Sequence, residues 1–305
     1  MQKQILLSIC IPTYNRSKAL RGNLNELFKQ VYDKGLPVEI IISDNNSLDN
    51  TREIVDEFII RGMQIRYIRN STNIGMDGNF AQCYKSAIGK YILVLGDDDY
   101  LIDGMLEKLL FKLVDQDYGL IHLNTRGGDE ISDIVFCDSE LFLKEVSYWI
   151  TYITSNIVNK KYIENYCFDL YHGTFLTIVP LYLTATINSQ KNLLVNERVF
   201  SDGKDVRSNG GYNFFQVFVE NYLCIWENYV FDNKISLKLY LWIKKDIFKK
   251  YILYNAFNLL IKKNESNYDL KGAFSIIYRR YFGHLYFYYY FTFYALKVLI
   301  RKIVK

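Results

Sequence analysis

The chain has 305 residues, half of them hydrophobic, 16% aromatic and 23% charged, with a formal net charge of +4. This is too apolar for disorder and too polar for a multi-span membrane protein, and the length suits about two domains. Charge is uneven: residues 241–305 hold 13 Lys or Arg against 3 Asp or Glu, so the rest is net acidic and two surfaces with different partners are expected. Only three prolines among many Lys, Asn, Ile and Tyr fit an AT-rich coding sequence and a bacterial source. The five cysteines form no CxxC pair, which points to neither a zinc site nor a disulfide framework. The first residues run into a short apolar strand without a signal-peptide pattern, so a cytoplasmic location is expected.

Along the chain, β-branched runs at 6–11, 38–43, 65–69, 91–95 and 120–123 alternate with helical periodicity at 18–31, 50–60, 77–87 and 103–114. Strand and helix at this spacing predict an α/β fold, a mostly parallel, Rossmann-like sheet flanked by helices. Ser17 and Asp49 stand where N-caps belong, with Glu53 placed to approach the second helix start. From 128 to 240 the pattern weakens. A loop with a short strand is expected over 129–138, a helix over 139–153, a strand at 155–159 and a buried helix over 173–188. Gly203, Gly210 and Gly211 mark a flexible stretch before a helix at 213–223.

Helical periodicity returns from 236, with lysine pairs at 244–245, 249–250 and 262–263. Residues 281–296 carry no formal charge, include His284 and are rich in Tyr and Phe. A spanning helix needs about 20 predominantly apolar residues, and tyrosine hydroxyls sit badly at mid-bilayer. Flanking Arg279, Arg280, Lys297, Arg301, Lys302 and Lys305 suit a helix lying in an anionic membrane surface, while an aromatic helix packed on protein is the plain alternative.

Parallel sheets bind ligands in the loops at the carboxyl ends of their strands. Here those loops are 12–17, 44–49, 70–78 and 96–102. The last opens with Gly96-Asp97-Asp98-Asp99. Adjacent carboxylates repel unless a cation neutralises them, and oxygen ligands suit Mg²⁺ or Mn²⁺ bridging to substrate phosphates. A solvated acidic turn is the bland reading of the same residues. The first loop, Pro12-Thr13-Tyr14-Asn15-Arg16, offers a hydroxyl, a ring, an amide and a guanidinium beside a helix start, which suits a nucleoside diphosphate. Asp44 stands at a strand end, free to accept from a nucleobase or ribose, and Asn46 follows in the same loop. The third loop presents Asn73, Asp77, Gly78 and Asn79 before a helix.

In this order the four motifs resemble the family 2 glycosyltransferases with the GT-A fold, over roughly residues 5–125. The resemblance implies a nucleotide pocket lined by Thr13 and Tyr14, base contact at Asp44, and an acidic triplet that binds ribose and the metal bridging the diphosphate, with Asp97 and Asp98 on the nucleotide sugar and Asp97 and Asp99 on the metal. It also implies inversion at the anomeric carbon. Two loops depart from the family pattern: Asn45-Asn46 replaces the second Asp and the Gly of Asp-Asp-Gly-Ser, and Gly78-Asn79 stands in place of an Arg-Asn pair. The Asp44-Asn45 form, the stretch from Met76 to Phe80, Gly96 to Asp99, Ser155 to Tyr162 and His172-Gly173-Thr174 resemble the abequosyltransferase-like branch of bacterial surface-polysaccharide enzymes.

The expected reaction moves a sugar from a nucleoside-diphosphate sugar to a saccharide or polyprenyl-linked acceptor at the inner face of the cell membrane. A base is needed for the acceptor hydroxyl. The family's Glu-Asp pair has no counterpart in residues 130–240, which leaves His172, Asp202 and Asp169 as candidates, with Glu197 and Asp205 behind them. The expected layout is a GT-A domain over 1–235, its nucleotide half at 1–125 and acceptor half at 126–235, then a helical, basic, membrane-contacting region at 236–305. A nucleotidyltransferase would show a glycine-rich loop after the first strand, and a nicotinamide enzyme would show GxGxxG there. A silent membrane scaffold leaves the acidic triplet unexplained. Nucleic-acid binding is not expected, since the tail's aromatics form one block instead of interleaving with its charges.

Overall fold

A computed structural model describes residues 4–124, 132–202, 210–262 and 264–303. The chain divides into two compact units, Met1–Val206 and Arg207–Lys305. The expected boundary at 235 falls inside the second unit, in the turn between two of its helices.

The first unit opens with β1 (Leu7–Thr13), α1 (Ser17–Val31), β2 (Val38–Asp44), α2 (Thr51–Ile60), β3 (Ile65–Arg69), α3 (Gly75–Ser86) and β4 (Tyr91–Val94). There follow β5 (Asp99–Leu101), α4 (Met105–Leu113), β6 (Leu120–Leu123), β7 (Ile134–Phe136), α5 (Ser139–Val146), β8 (Asn156–Asn159), α6 (Ile178–Asn188), β9 (Asn192–Val195) and β10 (Phe200–Asp202). Eight strands form one sheet in the order β3-β2-β1-β4-β8-β6-β9-β7, and β10 pairs with β5 apart from it. β1, β2, β3 and β4 run parallel, as do β6 and β9, while β8 lies antiparallel between β4 and β6. The mixed, mostly parallel sheet with flanking helices matches the α/β expectation.

β1 is buried almost throughout because helices cover both faces, so its side chains lack the polar alternation of a half-exposed strand. Leu7, Ile9, Ile11, Ile40 and Ile42 pack with Leu20, Leu24 and Leu27 of α1, Val55 and Phe58 of α2, and Leu106 and Leu109 of α4. Each such burial contributes about 1.5–3 kcal/mol. On the opposite face α3 and α6 meet through the Tyr84 and Tyr182 hydroxyls, 2.7 Å apart.

Several expectations shift in detail. Ser17 is the first residue of α1 and makes no cap; its backbone N–H is instead taken by the Asp49 carboxylate at 2.9 Å. The helix expected over 139–153 ends at Val146 and continues as 3-10 turns at Ser147–Thr151 and Ile153–Ser155. The helix expected from 173 begins at Ile178, because Gly173 and Phe175 adopt positive φ (83° and 59°) that no helix accommodates.

The second unit pairs β11 (Gly210–Asn213) with β12 (Asn267–Asp269) and is otherwise helical. A π-helical turn at Gln216–Asn221 leads into α7 (Tyr222–Phe231). Next comes one run of α8 (Leu237–Ile247), a π turn (Phe248–Ile252), α9 (Leu253–Ala256) and a second π turn (Phe257–Ile261). α10 (Ala273–Tyr281) and α11 (Leu285–Ile303) close it. Arg280 ties α10 to the π-helical turn through Glu220 at 2.9 Å and to α7 through Glu227 at 3.0 Å. The strand at Gly210–Asn213 replaces the start of the helix expected at 213.

Candidate functional site

Parallel register sets the site. Thr13 pairs with Asp44 at the carboxyl ends of β1 and β2, and Cys10 with Val94 of β4, so the first, second and fourth loops leave the sheet side by side. Thr13 Oγ1 donates to Asp97 at 2.9 Å. The Arg16 guanidinium bridges Asp97, at 3.1 Å, and Asp98. Asp97 is nearly sealed from solvent; burial pushes its carboxyl up to about 7, with Asp98 and Asp99 adding to the rise and Arg16 and Thr13 opposing it. Asp99 accepts hydroxyl protons from Tyr152 at 2.7 Å and from Thr154. Asn23 of α1 donates to the Gly96 and Asp99 carbonyls at 3.0 and 2.7 Å, and so fastens the acidic loop to a helix. Tyr14 is left exposed beside this group and Pro12 is half-buried.

The second loop is more occupied than its sequence implies. Asp44 is 1% exposed, accepts from the Ser47 N–H at 2.9 Å and from the Tyr67 hydroxyl, and lies 3.8 Å from Arg69. Each of its oxygens thus already accepts one hydrogen bond from a strand-end neighbour, and a carboxylate has capacity for more. Asn15 accepts from the Leu48 N–H at 2.7 Å, locking the first loop to the second. Asn46 takes a φ of 67°, the left-handed conformation that asparagine tolerates and that a glycine would otherwise fill. Asn45 donates to Asn73 and the Gly75 carbonyl and accepts from Asn70 and the Ile74 N–H. An aspartate there could accept but not donate, so the amide suits this third loop.

Third-loop residues point inward. Asn79 bonds Ser43 through both ends of its amide. Asp77 is buried, and one of its oxygens accepts the Gly173 and Phe175 N–H groups at 2.9 and 3.0 Å. That contact brings the His172–Phe175 turn to the start of α3. His172 and Asp169 are both exposed on this segment. Asp202 stands elsewhere: its backbone pairs directly with Asp99 where β10 meets β5. Asp205 lies outside the described residues, and Glu197 is an exposed partner of Lys108.

A family model described as glycosyl transferase family 2 matches residues 8–174, more than half of the chain. The chain belongs to this family. Abequosyltransferase RfbV of Salmonella typhimurium is 43% identical over 99 residues, 32% of this chain and 29% of that protein. The GalNAc(5)-diNAcBac-PP-undecaprenol beta-1,3-glucosyltransferase of Campylobacter jejuni is 34% identical over 111 residues, 35% of this chain and 34% of that one. The matched stretch thus spans about a third of each relative. Among solved structures, S. aureus TarS 1-349 superimposes with a TM-score of 0.63 at 16% identity, over 84% of this chain and 75% of that one. Mannosyltransferase PcManGT of Pyrobaculum calidifontis, solved with GDP-Man and Mn²⁺, gives 0.58 at 11% identity, over 83% and 72%. These likenesses show the GT-A-like fold.

Within this family 2 domain, sequence reasoning missed Asn23, Tyr67, Tyr152 and Thr154, which hold the acidic loop and Asp44. Tyr152 and Thr154 stand more than 50 residues after Asp99 and carry no motif, so only the fold reveals them. Among the described residues no three ligating side chains form a ready metal site. The donor chemistry nevertheless fits a hard divalent cation: Asp97, Asp98 and Asp99 offer only oxygens, three adjacent carboxylates with the Arg16 guanidinium bridging two of them.

Proposed function

We propose that this chain is an inverting glycosyltransferase that moves a sugar from a nucleoside-diphosphate sugar to a saccharide acceptor in bacterial cell-surface polysaccharide synthesis. The observation that carries this reading is the meeting of Thr13, Arg16 and Asp97–Asp99 at the carboxyl ends of neighbouring strands in a family 2 domain. Tyr14 stacks on the base, and the Asp44 loop, braced by Asn46 and by the Asn73–Asn79 segment, closes its side of the nucleotide. Arg16 and Asn15 steady the diphosphate, with Asp98 at the ribose. Asp97 and Asp99 would hold a divalent Mn or Mg ion, whose charge offsets that building on the departing diphosphate.

The acceptor hydroxyl attacks the anomeric carbon as the bond to the diphosphate breaks, and Asp202 takes its proton. Asp202 is preferred to His172 and Asp169 because β10 sets its backbone beside Asp99. The likeness to a named abequosyltransferase and to a glucosyltransferase of an undecaprenol-linked substrate supports a surface glycan and a lipid-linked acceptor. Among the described residues no helix is long and apolar enough to cross a membrane, so the basic, aromatic second unit is assigned to peripheral contact at the inner face of the cell membrane.

Thermal shift against UDP-, GDP-, CDP- and dTDP-sugars, with and without Mn²⁺, tests the donor site. One nucleotide should raise the melting temperature only with metal, and Asp99→Ala should abolish the rise. Gly96→Ala should do the same in a folded protein, since a Cβ there would lie 2.6 Å from the Asp99 carboxylate. No shift with any donor, in folded protein, would favour a silent membrane scaffold.

A further inference from the structure

The second unit contains an apolar groove of about 380 Å³ between the α8–α9 run and the α10 and α11 helices. Phe248, Ile252, Leu253 and Ala256 line one side, and Phe274, Tyr278, Phe287 and Phe291 are among those lining the other. Beside it α10 exposes Phe274, Tyr278 and Phe282 at four-residue spacing, and α11 exposes Leu285, Tyr289 and Phe293 at the same spacing; each is at least half exposed. Large apolar surface of this kind marks an interaction site, and Tyr-rich rings prefer a membrane interface to its interior.

Charge identifies the occupant. Lys245 and Lys249 are exposed and lie over the Tyr286 and Tyr290 rings, at 5.8 and 5.4 Å. Those tyrosines immediately precede the lining Phe287 and Phe291. Among the described residues no carboxylate pairs with either lysine, whereas neighbouring Lys250 is neutralised by Asp246 at 2.8 Å. Two such cations on the helical stretches that wall an apolar slot complement an anionic head joined to a hydrocarbon tail. A protein helix would leave those lysines unmatched unless it carried acidic residues at the same spacing.

We propose that this groove takes the hydrocarbon chain of a phosphate-headed lipid drawn from a membrane surface. The proposal deepens the membrane reading of the second unit and rests on it. Surface docking alone would need only the exposed stripe; the groove adds selection of a single chain with an anionic head.

The test uses the full chain and two kinds of probe. Sedimentation with phosphatidylcholine vesicles, with and without about one-third phosphatidylglycerol, reads membrane contact. Titration with monomeric decyl phosphate, decanol and inorganic phosphate reads the groove. Decyl phosphate should bind saturably, decanol about tenfold more weakly, and inorganic phosphate not at all. Ser275→Trp, at an exposed lining position, should plug the slot and weaken decyl phosphate by about tenfold without changing circular dichroism or the nucleotide-sugar shift. The Lys245→Gln, Lys249→Gln double variant should bind decyl phosphate and decanol alike. No vesicle binding by the wild type, with or without phosphatidylglycerol, would sink the membrane reading itself. Normal vesicle binding with Ser275→Trp titrating decyl phosphate like wild type would overturn the groove alone, as would inorganic phosphate binding as well as decyl phosphate.

Discussion

His122 on β6 is fully buried, its Nδ1 2.9 Å from the Asn156 side-chain oxygen on β8. The Asn156 amide already donates to the Ile150 and Tyr152 carbonyls, so its oxygen is the acceptor and Nδ1 carries the hydrogen. Tyr152 in turn holds Asp99 through its hydroxyl, so a polar chain runs from the buried sheet out to the acidic loop. Burial pushes the imidazole down to about 4, against the help of Asn156. The unfolded chain takes up this proton near pH 6.5. Stability is therefore full above pH 6.5 and falls as the pH drops towards 4, by about 3 kcal/mol from this group. Urea unfolding of wild type and His122→Gln at pH 7.5 and 4.5 should show the wild type losing more by about that amount. Equal losses would mean the ring is hydrated and already charged. Nothing in the sequence marked His122, because a histidine in an apolar run looks the same whether buried or exposed.

At the scale of elements, Asp49 does more than one helix start requires. It accepts from the Ser17 N–H at the head of α1 and from the Thr51 N–H and hydroxyl at the head of α2. Two helix starts thus depend on one carboxylate, and Asp49→Ala should cost about 2 kcal/mol in urea unfolding. Ser17→Ala should cost no more than about 1 kcal/mol, since its side chain caps no helix N–H and only supplements the backbone bond to Asp49. The reverse ranking would restore Ser17 as the cap. The early strands and helices were legible because hydrophobic period and loop chemistry agree over 7–113. β5, β9 and β10 were not, since each is a run of three or four residues set among Asp, Asn, Gly or Lys that reads as loop. The antiparallel insertion of β8 between β4 and β6 is a matter of pairing, on which local pattern is silent.

Across the whole molecule, charge divides much as the chain does. The residues from 241 onward carry a large cationic excess and the rest is acidic. Surfaces of opposite sign attract over a Debye length, about 10 Å at 0.1 M salt and far less at 1 M. Binding to anionic vesicles should therefore weaken by at least about tenfold between 0.05 and 0.5 M salt. The metal-dependent nucleotide shift should change far less, because its contacts are short and partly buried. Parallel loss of both would mean the vesicles hold the protein through its donor site.

The amino-acid order by itself determined the sheet's first half, the four loops at its carboxyl edge and the family, because strand period, turn residues and acidic triplet all lie within short windows. Only the tertiary structure decided what those loops are made of in space: that Arg16 bridges Asp97 and Asp98, that Tyr67 donates to Asp44, that Tyr152 and Thr154 hold Asp99, and that the β10 backbone sets Asp202 opposite it. Each joins residues more than 20 apart, and such contacts follow from how strands pair and helices pack, which no local window contains. The groove of the second unit is of the same kind. Its composition was visible as an aromatic, basic tail, but a cavity exists only once three helical stretches leave a space between them.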